Sequence, residues 1–199
     1  MGSLINVLIR TSNRPKLFKR CIESVLMQHY KNVRIIVSHD TFYAWYVYDY
    51  MHGRKNIETI KVKKNMEHPY YWNLYCNDLK AQVKDGWFFF LDDDDVLDNP
   101  YVLEKMENLL HDDVHIFQFD RCGTIKPSNK YMDEKKIERG KIGMPCIVMH
   151  HSVKKAANFD GKKGADYRFI KQMSDIVEPV FNKMVLVRCD NHGLLGQME

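Results

Sequence analysis

Ten consecutive residues constrain this chain more than any others. Gly86 is followed by Trp87, Phe88, Phe89, Phe90 and Leu91, and these run directly into Asp92, Asp93, Asp94 and Asp95. A short apolar run bounded by a glycine reads as a strand buried on both faces, the pattern of a parallel sheet rather than of a half-solvated one. The four carboxylates then stand at the strand's carboxyl end, the edge at which open α/β sheets bind their ligands. Four adjacent like charges repel one another and need compensation, which a divalent cation held by oxygen ligands supplies. The competing reading is a solvated acidic turn capping the next helix. Asp98, Asn99 and Pro100 already provide that cap, with Asn99 as N-cap and Pro100 at the first helical position. The aspartates therefore point to a metal site.

The chain upstream supplies the rest of such a sheet. Residues 4–9 are a compact apolar strand, broken by the polar turn Arg10-Thr11-Ser12-Asn13-Arg14. Pro15 opens a helix with Leu17, Phe18, Cys21, Ile22, Val25 and Leu26 on one stripe at helical spacing. A second strand over 33–37 ends in Ser38-His39-Asp40. Strand, helix and strand at this length form a βαβ unit with a right-handed crossover and a parallel pair. Two loops thus leave the same carboxyl edge, one carrying Thr11 and Arg14 and the other Asp40. A carboxylate there can accept the imide N–H of a uracil, and a hydroxyl can serve the base carbonyls.

Composition narrows the function class. With 199 residues, 45% of them hydrophobic, the chain holds one domain with a sizeable core. A net charge of +4 is too weak and dispersed for nucleic acid, and it suits a ligand bearing phosphates. The five cysteines are scattered without a C-x-x-C pair, which argues against a disulfide framework and fits a reducing compartment, the cytoplasm. The apolar runs are too short for a transmembrane segment, and the amino end lacks a signal-peptide apolar region.

The segments Ile5-Asn6-Val7-Leu8-Ile9-Arg10-Thr11-Ser12-Asn13-Arg14-Pro15 and Cys21-Ile22-Glu23-Ser24-Val25-Leu26-Met27-Gln28, and the strand ending at Asp40, resemble the opening of family 2 glycosyltransferases. Leu91-Asp92-Asp93-Asp94-Asp95 is similar to their L-D-x-D-D form of the D-x-D motif. Asn158-Phe159-Asp160 followed by Gly164-Ala165-Asp166-Tyr167-Arg168-Phe169 resembles their G-F-D … E-D-Y pattern, with Ala165 where a glutamate usually stands. The resemblance implies an α/β, GT-A (Rossmann-like) three-layer sandwich with a mostly parallel sheet and helices on both faces. It would be one domain over 1–199, with a nucleotide-binding half at about 1–98 and an acceptor-side half at about 99–199. It also implies an inverting hexosyltransferase that uses manganese or magnesium. The donor would be a nucleotide sugar, a UDP-sugar by preference, and the acceptor a hydroxyl of a glycan or glycoconjugate.

Carried onto these positions, the resemblance makes Asp166 the catalytic base and Asp94 the direct metal ligand. Asp92 would meet the ribose or a metal-bound water, and His192 would be a second metal ligand. Thr11, Arg14, Asp40, Asn65 and Asp93 join Asp92 as nucleotide-sugar contacts. In an extended chain Asp93 and Asp95 alternate away from Asp92 and Asp94. The family usually has an arginine-asparagine pair on the helix that carries Asn73 and Asn77, and here the arginine is missing. Residues 41–55, rich in aromatic rings, read as a helix with a ring or two free to face a sugar or base. Residues 123–142, polar and long, read as a mobile lid or acceptor-side loop. Two rival chemistries act on similar ligands. A phosphohydrolase would want an acid in the turn after the first strand, and a nucleotidyltransferase would want a glycine-rich loop there. Neither is present.

Overall fold

The structure, a computed structural model, describes residues 2–190. The first half of the chain is built as the sequence pattern demands. Strand β1 (Ile5–Thr11), helix α1 (Pro15–Leu26), β2 (Val33–His39), helix α2 (Trp45–Met51) and β3 (Ile57–Lys61) follow in order. A 3₁₀ turn at Tyr71–Asn73 and helix α3 (Tyr75–Ala81) then lead into β4 (Trp87–Asp92). β1 pairs in parallel with both β2 and β4, and β2 pairs in parallel with β3. The ladder β3-β2-β1-β4 is therefore the parallel sheet expected from βαβ units. α1 begins at Pro15, which suits a first helical position because its missing N–H would have no partner there anyway.

The second half extends that sheet with mixed pairing. β5 (Asp95–Leu97), helix α4 (Val102–Glu107), β6 (Val114–Arg121), β7 (Thr124–Lys126) and helix α5 (Asn129–Asp133) precede β8 (Ile147–His150), helix α6 (Ala165–Ser174) and β9 (Val180–Cys189). The strand order is β3-β2-β1-β4-β8-β6-β9-β5, with β7 paired to β6. β8 runs antiparallel to both β4 and β6, while β9 runs parallel to β6. The chain passes from β4 at the middle of the sheet to β5 at its far edge across Asp93 and Asp94. The acidic stretch is thus the bend between two parts of one sheet.

β4 is the spine of the core. Phe88 and Phe89 are fully buried on opposite faces of the strand, and Phe90 and Leu91 continue the pattern. Phe90 packs edge-on against both Phe159 and Phe169, whose own rings stack with centroids 4.1 Å apart. That aromatic contact fixes the segment before α6 against the organising strand. Gly86 starts β4 with φ +74°, and a Cβ there would lie 2.2 Å from the Leu4 carbonyl oxygen. Only glycine allows this close approach of β4 to the start of β1.

Several local expectations are corrected. Residues 123–142 are not an irregular loop: β7 and α5 lie within them, and Met132 and Ile142 are buried anchors. The Gln118 amide donates to the Pro127 carbonyl (2.8 Å) and to Asn129 Oδ1 (3.0 Å), tying the segment to β6. Three buried residues, Pro127, Met132 and Ile142, suffice to pin a stretch whose composition is otherwise polar. Asn99 caps a turn rather than the helix itself. Its Oδ1 accepts from the Tyr101 N–H (3.0 Å), and α4 begins at Val102, after Pro100. No helix among the described residues is long and apolar enough to cross a membrane.

Truncating the spine tests this account. Phe89→Ala leaves a cavity flanked by strands on both sides, and the expected loss is about 3–5 kcal/mol of unfolding free energy, read from urea denaturation.

Candidate functional site

The site begins with register. In the β1–β4 ladder, Arg10 and Asp92 are partners on adjacent strands. The guanidinium therefore meets the carboxylate face to face: Nε donates to Oδ1 at 2.5 Å and Nη2 to Oδ2 at 3.0 Å. Its remaining nitrogen, Nη1, donates to the Trp72 carbonyl (3.1 Å) and to Asn73 Oδ1 (3.2 Å). Arg10 on β1 thus reaches Asn73, on the 3₁₀ turn before α3.

The next acid faces the other way. Asp93 is fully buried, and accepts the Thr11 hydroxyl at 2.6 Å and Arg14 Nε at 3.1 Å, with Arg14 Nη2 on its other oxygen. Arg14 Nη1 reaches Asp94 Oδ2 at 3.4 Å. Tyr46 closes this network: its hydroxyl lies 3.2 Å from Thr11 Oγ1 and accepts the Asn13 N–H at 3.0 Å. Asp93, Thr11 and Arg14 therefore lock the turn after β1 onto the turn after β4.

Asp95 does not alternate away from the other acids. The bend at Asp93 and Asp94 breaks the two-residue period, and β5 starts by turning Asp95 back. Asp92, Asp94 and Asp95 each offer a carboxylate oxygen, and these oxygens all lie within 4.8 Å of one another. Burial, followed by the charges of Asp92 and Asp94, holds the Asp95 carboxyl well above the usual carboxylate range. Two guanidiniums, Arg10 and Arg14, directly meet Asp92, Asp93 and Asp94. A hard oxygen donor set of this kind fits magnesium or manganese. His192, the other candidate ligand, lies outside the described residues.

Two clefts meet at this cluster. One, of about 330 Å³, is lined by Arg10, Thr11, Ser12, Arg14, Asp40, Tyr71, Trp72, Tyr75, Asp92 and Asp94. The Asp40 side chain is 1% exposed within it. Its Oδ2 accepts the Tyr75 hydroxyl at 2.9 Å and lies 3.7 Å from Lys64 Nζ, whereas its buried Oδ1 has no hydrogen-bond partner. Asn65 is exposed in a turn, its Oδ1 accepting the Glu67 N–H at 3.2 Å, and it does not line this cleft. The aromatic walls are Tyr71, Trp72 and Tyr75. Of the rings at 42–50, Phe42, Tyr43 and Trp45 are exposed outside this cleft, and Tyr46 is buried beneath it.

The other cleft, of about 370 Å³, shares Arg10, Asp92 and Asp94 with the first and adds Asp95, Lys163, Ala165, Asp166, Arg121 and Tyr70 among others. Asp166 stands in the first turn of α6, entered through Gly164 at φ +76°. Burial raises its carboxyl above the ordinary value, partly offset by the Tyr167 N–H, which donates to Oδ1 at 2.8 Å. Ala165 is buried beside it, so Asp166 has no second acid from the preceding position. Asp160 is held elsewhere by two 2.6 Å bonds from Arg168. Sequence reading missed Arg10, Asp95, Tyr75 and Lys64. The parallel register of β1 and β4 was the one signal that could have found Arg10.

A family model described as glycosyl transferase family 2 matches residues 6–165. Comparison with curated proteins returned no match. Among solved structures, S. aureus TarS 1–349 aligns with a TM-score of 0.74 at 14% identity, covering 95% of this chain and 61% of that one. Its complex with UDP-GlcNAc gives a TM-score of 0.74 at 14% identity, covering 98% and 61%. The mannosyltransferase PcManGT from Pyrobaculum calidifontis, in complex with GDP-Man and Mn2+, gives 0.68 at 10% identity, covering 94% and 57%. At these identities the likeness is one of fold, and the chain spans about three fifths of the TarS 1–349 structure.

The Arg14 clamp has a measurable consequence. Arg14→Leu leaves the Asp93 carboxylate buried with Thr11 as its remaining partner, and the expected loss is about 3 kcal/mol. Adding Asp93→Asn recovers part of that loss in a double-mutant cycle followed by urea denaturation.

Proposed function

Because the chain belongs to glycosyl transferase family 2, we propose that it is a metal-dependent, inverting glycosyltransferase taking a UDP-sugar as donor and a glycan hydroxyl as acceptor. One observation carries this reading: two clefts share Arg10, Asp92 and Asp94, with an unpartnered carboxylate oxygen in one and a buried carboxyl in the other.

The cleft holding Asp40 suits the nucleotide. Asp40 Oδ1 accepts the imide N–H that uracil presents, and Tyr71, Trp72 and Tyr75 give the base an apolar wall. The unmet oxygen is costly while buried and empty, so a donor placed there recovers a hydrogen bond. Arg10, at the junction, lies where a diphosphate would pass between the clefts. Asp92, Asp94 and Asp95 would hold manganese or magnesium, which when bound stabilises negative charge gathering on the diphosphate.

The cleft holding Asp166 suits the acceptor. The acceptor oxygen attacks the anomeric carbon as the bond from that carbon to the diphosphate oxygen breaks, and the nucleoside diphosphate leaves with the electron pair. Asp166 takes the acceptor's proton, which makes it general base. Such a single displacement, with Asp166 as its base, inverts the configuration at the anomeric carbon, as the family resemblance implies. The raised Asp166 carboxyl is a better base than an exposed aspartate because its charged form is less well solvated.

Isothermal titration of the chain with UDP tests the donor assignment. With manganese present, binding is expected, and it should disappear in Asp94→Ala and weaken by ~1–3 kcal/mol in Asp40→Ala. Failure of the wild-type chain to bind UDP with or without manganese would remove the uridine assignment, and the diphosphates of thymidine and guanosine would follow.

Asp166→Asn should retain UDP binding while turnover of the accepted UDP-sugar falls by ~10²–10⁴-fold. Asp166 acts only when ionised, and its folded carboxyl titrates above the ordinary range. The wild-type kcat/KM should therefore fall with decreasing pH at a point above ~4, the ordinary aspartate value.

A further inference from the structure

The two carboxylate oxygens of Asp40 have unequal surroundings. Asp40 follows β2 and Tyr75 opens α3, and both line the same cleft. Oδ2 accepts the Tyr75 hydroxyl at 2.9 Å and lies 3.7 Å from Lys64 Nζ, while the buried Oδ1 has no hydrogen-bond partner. Tyr75 is 3% exposed. Burial, and then the bond to Asp40, holds its phenol well above the usual tyrosine range, so the hydroxyl keeps its proton and donates it. We propose that Tyr75 determines the base specificity of the donor site. By occupying Asp40 Oδ2 it leaves one carboxylate oxygen to the base, which favours the single imide N–H of uracil or thymine over the paired N–H groups of guanine. This role rests on the reading of the cleft as the nucleotide site, and it adds a physical reason for a pyrimidine there.

Base edges differ in how many donors they offer a carboxylate. Uracil and thymine present one imide N–H between two carbonyls. Guanine presents its N1–H beside an amino group, two donors side by side. An ionised carboxylate accepts such a pair with one bond to each oxygen. In this cleft one of the two oxygens is already served. The Tyr75 proton is directed at Oδ2, and the Lys64 ammonium adds positive charge on the same side. A guanine amino group brought to Oδ2 would meet other donors there, and one of its N–H groups would lose its acceptor. A buried donor left without a partner costs its full desolvation penalty. Uracil brings a carbonyl to that side instead. Lys64 has three N–H donors and can serve that carbonyl as well as Asp40.

The fold holds the tyrosine where this selection needs it. Arg10 Nη1, on the Trp72 carbonyl and Asn73 Oδ1, fixes the turn that enters α3. Within α3, Asn77 Nδ2 donates to the Phe159 carbonyl at 2.8 Å and Asn77 Oδ1 accepts the Phe159 N–H at 2.9 Å. The Tyr71 ring lies 5.9 Å from the Tyr75 ring. Swinging the Tyr75 hydroxyl off Oδ2 would strand a buried polar group as well as the carboxylate oxygen it serves. Oδ2 is therefore withheld from the ligand, and Oδ1 is the oxygen on offer.

The test is isothermal titration of the full chain, with manganese present, against UDP, GDP and inosine diphosphate. The last is GDP without the amino group on its base. Wild type, Tyr75→Phe and Tyr75→Leu are compared. The wild type should favour UDP over GDP. Both variants should bind GDP ~10-fold or more tightly than the wild type does, with no such gain for inosine diphosphate, since the amino group is what uses the freed oxygen. Tyr75→Phe keeps the ring and its packing, so its far-UV circular dichroism should match that of the wild type. An equal gain for both purine nucleotides would mean that the cleft had merely widened, and would overturn the proposal. An unchanged ratio of UDP to GDP affinity in Tyr75→Phe, or a wild-type preference for GDP, would overturn it equally while leaving the cleft a nucleotide site. A wild-type chain that binds none of the three would remove the nucleotide reading itself, and the role of Tyr75 with it.

Discussion

Charge compensation on the carboxyl edge of the sheet is the constraint on which the rest depends. Four consecutive aspartates can close a strand only if their charge is answered. Arg10 answers Asp92 through the parallel register of β1 and β4, and Arg14 answers Asp93 from the turn after β1. Both arginines belong to the first strand's exit. The first and the fourth strands are thus bound at their carboxyl ends by ionic contacts as well as by their ladder. Breaking one side of such a partly buried pair is costlier than never having built it, because the surviving charge stays out of water.

The same arrangement divides the acids by task. Asp93 turns inward and is fully committed to Thr11 and Arg14. Asp92, Asp94 and Asp95 instead bring their carboxylate oxygens together as a group, with Asp92 held by Arg10. The bend that separates the two sets also carries the chain from β4 to β5, from the middle of the sheet to its far edge. A single turn therefore sets sheet topology and gathers the carboxylates, and the two clefts open on either side of it.

β4 links both ends of the molecule. Its apolar residues are the core, its carboxyl end carries the acids, and its amino end carries the close approach of Gly86 to Leu4. A strand buried on both faces cannot shift register without displacing every neighbour, because successive side chains alternate between packed faces. The acids at its carboxyl end are consequently held in place by the packing of the whole strand.

Much of this was legible in the amino-acid sequence. The apolar run 87–91, the helical stripe from Leu17 to Leu26 and the early strands announced a parallel α/β sheet with acids at its carboxyl edge, because periodicity and apolar continuity are local properties of a chain. Asp40 and Asp166 were also marked, by their place after a strand and within a recognisable motif. What the sequence could not show was pairing across distance. Arg10 looked like an ordinary turn residue until the β1–β4 register set it against Asp92. Asp95 was expected to point away until the bend brought it back. Residues 123–142 looked structureless because three buried residues among many polar ones leave no periodic signal. Tyr75 and Lys64 met Asp40 only through packing. Local pattern determined which elements form. Which side chains face one another was decided by tertiary structure, since strand register and chain reversal bring together residues that are far apart in sequence.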